Sequence, residues 1–427
     1  MVKLKMKRYL IIISIVIMAL LTIILIYWNC DGKNENKSEL EGVITFVSNR
    51  TDKRVELEEL IEEFERINPK VNIELELLGD AEYILSRRAI VDELPDVTLI
   101  PGQIKASEYD KYFLSLDDLG FSSDNIYNYY TGVGSDNKLY NLTTSISWNG
   151  VIYNKKVFEE ANIENIPKTR EEFLEVCKKI KSLGKIPIAL NYKQGWAISQ
   201  WIDVIPNILN TKLESEVIIN NKDILGEEST LFKSLEILRD IVKNYYCEED
   251  LINYEWETCK NDIKDGNIAM FLGSSAFISQ LEDMGMDSDE IGIFPFMGSN
   301  SLYIFGEYRF GIAKNTKYPE VAKEFLKFIF ENDRYSNAVN ILSPLKESEK
   351  DKEFFEELNS FDIPIEIYGE TLVEYNQDVN SIHEEYERLK KIVGIDYSFA
   401  QLYSTCDNPE ELIEIINYKW KQEKAKE

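Results

Sequence analysis

Residues 42–77 read GVITFVSNRTDKRVELEELIEEFERINPKVNIELEL, and their pattern predicts the fold class. The apolar run from Val43 to Val47 predicts a short strand, followed by turn-forming residues. A helix comes next and ends at Asn68 and Pro69. Its apolar face is formed by Leu57, Leu60, Ile61 and Phe64. Alternating apolar and polar residues from Val71 onward then predict a half-buried strand. A strand–helix–strand unit of this kind is typical of an α/β lobe with a largely parallel sheet.

The alternation of predicted strands and helices continues along the chain. Short apolar runs at 97–100, 186–190 and 268–272 predict further strands. Thr169 and Glu172 form a capping box at the start of a helix that ends at Gly184. Pro319 opens another helix, and residues from about 351 onward are mostly helical. Because no repeat or Gly/Ser-rich linker divides the chain, the pattern favours two lobes joined by several chain crossings.

The net charge of the chain argues against two classes of function. The 427-residue chain carries 76 acidic and 48 basic side chains, a net charge of −28. This field repels phosphate backbones and anionic lipid headgroups, so nucleic-acid binding and adsorption to a membrane surface are not predicted. The acidic residues are spread along the chain, which is typical of a solvated surface.

The first thirty residues have the pattern of an export signal. Lys and Arg residues precede an unbroken apolar run from Tyr9 to Trp28, which is nearly long enough to span a bilayer. Cys30 stands where a lipoprotein carries its acylated cysteine, although Tyr27 and Trp28 replace the small residues usual before it. Lipidation at Cys30 and an uncleaved signal anchor both remain open. Either predicts a protein on the outer face of the cytoplasmic membrane, with residues 31–41 as a flexible spacer.

Signatures of catalysis and metal binding are weak. The only histidine, His383, lies in a polar helical segment, which excludes a His-rich zinc site and favours a surface or packed role. No phosphate-binding loop, dinucleotide motif or serine-hydrolase elbow is present. We therefore predict no enzyme activity, no cofactor and no metal. The cysteines do not have metal-like spacing, but a bridge between Cys247 and Cys259 remains open.

Binding features are more numerous. Ligands in open α/β sheets are held where strands end, and the loop after the first strand offers Ser48, Asn49 and Arg50. The loop after the third strand offers Gln103. Trp148, Trp196, Trp201 and Trp256 lie in the central part of the chain. Aromatic rings with amide, hydroxyl and carboxylate partners suit the apolar faces and hydroxyl groups of a sugar, although core packing is the alternative for each tryptophan.

Several segments together resemble the family-one extracellular solute-binding proteins. Each segment is weak alone, but their order and spacing are specific and cover most of the chain from about residue 42 to 340. The segments are 64–73, 95–97, 116–119, 148–158, 167–173, 265–270, 291–295, 311–314 and 322–326.

The resemblance implies a two-lobed, type II periplasmic-binding-protein-like fold that closes about a hinge of crossing strands. One crossing is expected near residues 143–147 and another near 291–295. Lobe one would hold residues 42–145 and 292–338, and lobe two 146–291 and 339–427. The ligand would lie in the cleft between the lobes.

The resemblance also implies contacts to the ligand. In addition to the loop at Ser48, Asn49 and Arg50, the implied residues are Ser147, Trp148, Tyr192, Gln194, Trp196, Ser274, Glu307 and Tyr375. Two places depart from the family pattern. Ser275 and Ala276 stand where many relatives carry an aromatic residue, and 305–308 replaces a glycine-rich run. The ligand is therefore not expected to be a typical maltodextrin, and Glu307 suits a cationic solute such as a polyamine.

Three functions follow from these observations. The leading one is a monomeric receptor that delivers a carbohydrate to the permease subunits of an ABC importer. The second is a receptor for a non-sugar solute, such as a polyamine or an amino-acid-like molecule, or one that reports to a membrane sensor. The third is an anchored glycosidase.

Overall fold

The predicted strand–helix–strand unit lies at the start of the described residues. The computed structural model describes residues 40–210, 212–346, 348–368 and 379–426. β1 (Glu41–Ser48) pairs in parallel with β2 (Lys70–Leu77), and the helix between them covers one face of the pair. Leu57, Leu60, Ile61 and Phe64 are its buried residues, as the periodicity predicted.

The described strands form two sheets. After β1 and β2 they are β3 (Val97–Leu99), β4 (Asn141–Thr143), β5 (Ile146–Asn154), β6 (Ile186–Ala189), β7 (Ile268–Ser274), β8 (Ile291–Phe294), β9 (Leu302–Gly306), β10 (Arg309–Ile312) and β11 (Ile365–Ile367). The first sheet has the order β2-β1-β3-β10-β4, and the second has the order β11-β9-β5-β7-β6 with β8 also paired to β5.

Helices cover both sheets. In chain order they are α1 (Arg54–Ile67), α2 (Ala81–Ile90), α3 (Tyr109–Tyr112), α4 (Lys155–Glu160), α5 (Arg170–Ser182), α6 (Gly195–Asp203), α7 (Ile205–Leu209), α8 (Leu213–Ile218), α9 (Thr230–Lys243), α10 (Trp256–Lys264), α11 (Phe277–Asp283), α12 (Pro319–Phe330), α13 (Arg334–Ala338), α14 (Glu349–Asn359), α15 (Val379–Val393), α16 (Tyr397–Thr405) and α17 (Pro409–Lys424). The predicted capping box of Thr169 and Glu172 starts α5. Pro319 is the first residue of α12, where its missing N–H costs no helical hydrogen bond.

The first sheet is mixed rather than largely parallel. β1 pairs in parallel with both β2 and β3, but β10 is antiparallel to β3 and to β4. The reason is that β10 does not follow a helical crossover within its own lobe. It enters the first sheet directly from the second, so its direction is set by that crossing.

Each sheet has its own core. Lobe one buries a cluster that includes Phe46, Phe64 and Phe325, whose rings pack at centroid distances of about 5 Å. The second sheet is covered on both faces, because Val151 and Ile152 are successive residues of β5 but lie in different clusters. Burial on both faces explains why β7 is apolar almost throughout instead of alternating.

Within the described part of the chain, three chain crossings join the lobes. The first lies between β4 and β5 at Thr144 and Ser145, and the second lies between β9 and β10 at Glu307 and Tyr308. The backbone N–H of Thr144 donates to the carbonyl of Tyr308 at 2.7 Å, so these two crossings are hydrogen-bonded to each other. The third crossing follows Val339, which is buried in the core of lobe one.

The lobe boundary expected at residue 292 is wrong. β8 pairs with residues 151–154 of β5, and β9 pairs with residues 146–148. Both therefore belong to the second sheet, and the chain returns to lobe one only at Arg309. An apolar pattern identifies a strand but not its partner, and here the partner is about 150 residues away in the sequence.

Gly306 allows the two crossing segments to approach each other. A Cβ atom at this position would lie 1.9 Å from Oγ1 of Thr143. We expect Gly306→Ala to lower the free energy of unfolding by about 1–3 kcal/mol, because the crossings must separate to admit the methyl group. Urea denaturation checks this, with Gly79→Ala as the control, since a Cβ there meets nothing within 4 Å. If neither substitution changed the free energy of unfolding, the close approach of Gly306 to Thr143 would be contradicted.

Candidate functional site

A cleft of about 750 Å³ lies between the lobes, beside the two hydrogen-bonded crossings. This volume is within the range of about 300–1,000 Å³ that small-molecule sites usually have. Lobe one contributes the loop after β1, lobe two contributes α10 and α11, and the crossings form the base. The lining residues are Asn49, Arg50, Thr51, Asp52, Lys53, Thr144, Ser145, Glu257, Lys260, Ala276, Ser279, Gln280, Asp283, Met284, Glu307, Tyr308, Tyr335 and Ile341.

Glu307 carries a carboxylate into this cleft from the second crossing. Its Oε1 accepts a hydrogen bond from Oγ of Ser147 at 2.9 Å and another from Oγ of Ser274. The strand register explains why the two serine hydroxyl groups lie close together. Ser147 lies near the start of β5, and Ser274 lies at the end of the neighbouring β7. Among the described residues, no lysine, arginine or histidine forms an ion pair with Glu307. The carboxylate is thus held by two hydroxyl groups while its negative charge stays uncompensated.

Tyr308 adds an aromatic ring next to this carboxylate. Its side chain is half-exposed and its hydroxyl group is hydrogen-bonded to Asn49. Partial burial and the charge of Glu307 raise the pKa of the Tyr308 hydroxyl above its usual value. The phenol therefore stays protonated at neutral pH and can act as a hydrogen-bond donor in the cleft.

Arg50 is engaged within its own loop. Its Nε and Nη2 donate to the two carboxylate oxygens of Asp52 at 3.0 and 2.7 Å, and its Nη1 donates to the carbonyl of Val339 at 2.8 Å. The hydrogen bond from Arg50 lowers the pKa of Asp52. The guanidinium group therefore orders the loop and ties it to the third crossing. Ser48 completes the loop, since its buried Oγ accepts from the backbone N–H of Arg50 at 3.2 Å.

An ion pair joins the two lobes across the cleft. Nζ of Lys53 in lobe one lies 3.3 Å from Oδ2 of Asp283 at the end of α11 in lobe two. Lys260, also in the wall, pairs with Glu257 of the same helix at 2.7 Å. The basic groups of the cleft are therefore each matched by a carboxylate, in contrast to Glu307.

An aromatic cluster lies next to the lobe-two residues that line the cleft. Trp196, at the start of α6, meets Trp256 edge to face with ring centroids 4.9 Å apart, and 49% of its surface is exposed. Trp256 packs in turn on Phe271 and Phe277. The cluster adjoins the cleft because Glu257 and Lys260 of α10 and Ala276 line the cavity.

The loop before Trp196 is held by a buried carboxylate. Glu248 is 3% exposed and accepts hydrogen bonds from the backbone N–H groups of Leu190 and Asn191. Asn191 adopts a positive φ of 51°, which turns the chain from β6 towards α6. Burial raises the pKa of Glu248. These contacts set the position of Gln194 and Trp196, the residues that follow the turn.

The structure brings together part of the predicted ligand-contact set. Asn49, Arg50 and Glu307 line the cavity, and Ser48, Ser147 and Ser274 contact them directly. Gln194 and Trp196 lie at the start of α6, outside the cavity lining, and Gln103 is an exposed loop residue that is also outside it. Tyr375 and Cys30 lie outside the described residues, as do the export-signal segment and most of the spacer.

Trp148 and Tyr192, two of the predicted aromatic contacts, are buried side chains. Trp148 is 1% exposed and packs on Phe361 in the lobe-two core. Tyr192 is also buried, and its hydroxyl group hydrogen-bonds with Ser404. Both side chains point into packed interior, so neither offers a free face to a ligand in this structure.

Several cleft residues were not predicted. Tyr308 and Lys53 each lie within three residues of a predicted contact, so widening the predicted segments would have found them. Asp283, Lys260 and Gln280 lie on helices whose sequence gives no sign of a site. Only the packing of the two lobes identifies them.

The described cysteines form no disulfide bond. Cys177, Cys247, Cys259 and Cys406 are free thiols, so the open possibility of a bridge between Cys247 and Cys259 is not realised. Burial raises the pKa of Cys247 to about 12, which keeps this thiol protonated.

Within the described ranges, no helix has both the length and the apolar character needed to cross a membrane.

Two lobes, each with its own sheet, and a polar cleft at crossing strands define a solute-binding protein of the type II class. Residues 48–334 match the profile of the family described as "Bacterial extracellular solute-binding protein". The chain belongs to this family.

The chain is similar in sequence to known proteins and in structure to solved ones. A multiple sugar-binding protein from Streptococcus mutans is 23% identical over 318 residues, which are 70% of this chain and 74% of that protein. A binding protein of an ABC transporter from Bifidobacterium animalis subsp. lactis, solved with mannobiose, superimposes with a TM-score of 0.75 at 21% identity, covering 91% of this chain and 96% of that one. The GacH receptor of Streptomyces glaucescens, solved unliganded and with acarbose, gives a TM-score of 0.68 at 16% identity, covering 90% and 98%. These solved structures support the fold.

Proposed function

We propose that the chain is the solute-binding component of an ABC importer and binds a mono- or oligosaccharide in the cleft between its lobes. The observation that carries this proposal is the cleft at the crossings, where the Glu307 carboxylate, held by Ser147 and Ser274, lies next to the half-exposed ring of Tyr308. The names of the relatives, which bind several sugars, support the same class of ligand.

The cleft suits the two kinds of surface on a sugar. Hydroxyl groups need acceptors and donors, which Glu307, Asn49 and the Tyr308 hydroxyl group supply. Apolar ring faces need flat partners, which Tyr308 supplies in the cleft and the half-exposed Trp196 supplies next to it. A ligand that contacts both lobes stabilises the closed form, because it gains its full set of contacts only when the cleft is shut.

The proposal extends to location and partners. The chain faces the outside of the cytoplasmic membrane, held by its N-terminal segment through an acylated Cys30 or an uncleaved helix. It acts as a monomer and delivers its ligand to permease subunits without chemical change.

A cationic solute is the second candidate, and one observation favours it. The charge of Glu307 is uncompensated, while Arg50, Lys53 and Lys260 are each paired with a carboxylate. An ammonium group of a polyamine or an amino-acid-like solute would supply the missing positive charge.

A thermal-shift screen of the full-length protein tests these alternatives. Mono- and oligosaccharides, amino acids and polyamines are each added in excess. A ligand at about one hundred times its dissociation constant stabilises the fold by about 2.7 kcal/mol, which is seen as a higher midpoint. We expect a shift from one sugar class, with the sugar recovered intact. A shift from polyamines alone would favour the second candidate, and recovery of a cleaved sugar would show an enzyme.

Trp196→Ala tests the aromatic contact. Because half of this ring is exposed, we expect sugar affinity to fall about tenfold, or about 1.4 kcal/mol, with a smaller loss in the free energy of unfolding. Isothermal titration calorimetry measures the affinity. Tyr245→Ala removes another exposed aromatic ring of lobe two and should leave affinity unchanged. Wild-type affinity in a folded Trp196→Ala variant would remove Trp196 from the site.

A further inference from the structure

Three metal-ligating side chains meet on lobe two, outside the cleft. They are Glu214 of α8 and His383 and Glu387 of α15, and one ligand atom of each lies within 4.8 Å of the others. Nδ1 of His383, the only histidine of the chain, is 2.8 Å from Oε1 of Glu214.

The helices explain this arrangement. His383 and Glu387 are four residues apart on α15, so both side chains lie on the same face of the helix. α8 packs against α15 and brings Glu214 to that face from about 170 residues away. A search of the sequence for histidine clusters does not find such a group, because two of its three members are carboxylates.

The charge around the cluster is unbalanced. Lys390 is 5% exposed, and its Nζ lies 2.6 Å from Oε1 of Glu387 and 2.6 Å from Oδ1 of Asp203. Two carboxylates, Glu387 and Asp203, share this one ammonium group, and Glu214 adds a third negative charge beside His383. With a neutral imidazole the group carries two negative charges in excess. Glu387 can still accept another partner, since a carboxylate has about four lone-pair positions and Lys390 takes one.

We propose that Glu214, His383 and Glu387 form a binding site for one divalent transition-metal ion such as Zn²⁺. Imidazole nitrogen and carboxylate oxygen bind Zn²⁺ at about 2.0–2.2 Å, and three protein ligands leave a fourth position for water. The imidazole favours Zn²⁺ over Ca²⁺ and Mg²⁺, which prefer oxygen ligands throughout. A divalent ion also neutralises the two excess charges.

Isothermal titration of ZnCl₂ into the full-length protein, without sugar and in a buffer that does not chelate metals, tests the site. We expect one saturable equivalent, weakened at least about tenfold by His383→Ala and by Glu387→Gln. Glu384→Gln is the matched control, because Glu384 lies next to His383 on the same helix but pairs with Lys105 of lobe one. This variant should bind Zn²⁺ as the wild type does.

Co²⁺ gives a second readout that does not depend on the heat of binding. A visible d–d absorption band that saturates with Co²⁺ in the wild type and is absent in a folded His383→Ala variant supports the site. Failure to bind one equivalent, or equal binding by wild type and His383→Ala, overturns the proposal. Any bound metal would then belong to the diffuse acidic surface, and His383 and Glu214 would form only a hydrogen bond.

Discussion

Trp148→Ala is expected to lower the free energy of unfolding by about 3–5 kcal/mol. The ring is 1% exposed and packs on Phe361, so its removal leaves a cavity in the lobe-two core as well as losing buried apolar surface. Urea denaturation followed by circular dichroism measures the effect. Trp196→Ala is the internal comparison, because it removes the same side chain from a half-exposed position.

The pair of tryptophan variants separates packing from binding. We expect Trp148→Ala to affect mainly stability and Trp196→Ala mainly sugar affinity. A Trp148→Ala variant with wild-type stability would contradict the burial of this ring. It would restore Trp148 as a candidate ligand contact, as the sequence predicted.

Glu307→Gln is expected to weaken ligand binding by about 1.5–3 kcal/mol, or roughly 10- to 150-fold. The amide is nearly the same size as the carboxylate, and its oxygen can still accept from Ser147 and Ser274. What is lost is the negative charge, which strengthens hydrogen bonds from ligand hydroxyl groups and attracts an ammonium group. Calorimetric titration with the ligand found by the thermal-shift screen measures the loss.

The control for Glu307→Gln is Glu62→Gln, which removes an equal charge from the exposed face of α1. Its ligand affinity should equal that of the wild type. If both variants bind alike and are folded, Glu307 is a structural part of the crossing and not a ligand contact. Repeating the titration with a neutral sugar and a polyamine would show which of them depends on this charge.

The crossing position of Glu307 gives it a second role in the proposed function. It lies between β9 of the second sheet and β10 of the first, so a ligand bound to it touches the segment that must move when the lobes close. Lys53 and Asp283 form an ion pair between the loop after β1 and α11. In the proposed function, we expect ligand contact and lobe closure to be coupled through the crossing segment.

Local patterns in the sequence determined much of the fold. The apolar periodicity of α1, the capping box of α5 and Pro319 at the start of α12 each depend on residues close together in the chain. The resemblance in the order of the segments identified the two-lobed class. Part of the site followed as well, because strand ends carry loops and Ser48, Asn49 and Arg50 occupy one of them.

Only the tertiary structure decided the rest, because the deciding contacts join distant residues. It assigned β8 and β9 to the second sheet, buried Trp148 in a core and left Trp196 half-exposed. It also paired Lys53 with Asp283 and His383 with Glu214. Partners more than about 130 residues apart leave no mark on local periodicity, since they are chosen by the packing of whole lobes and helices.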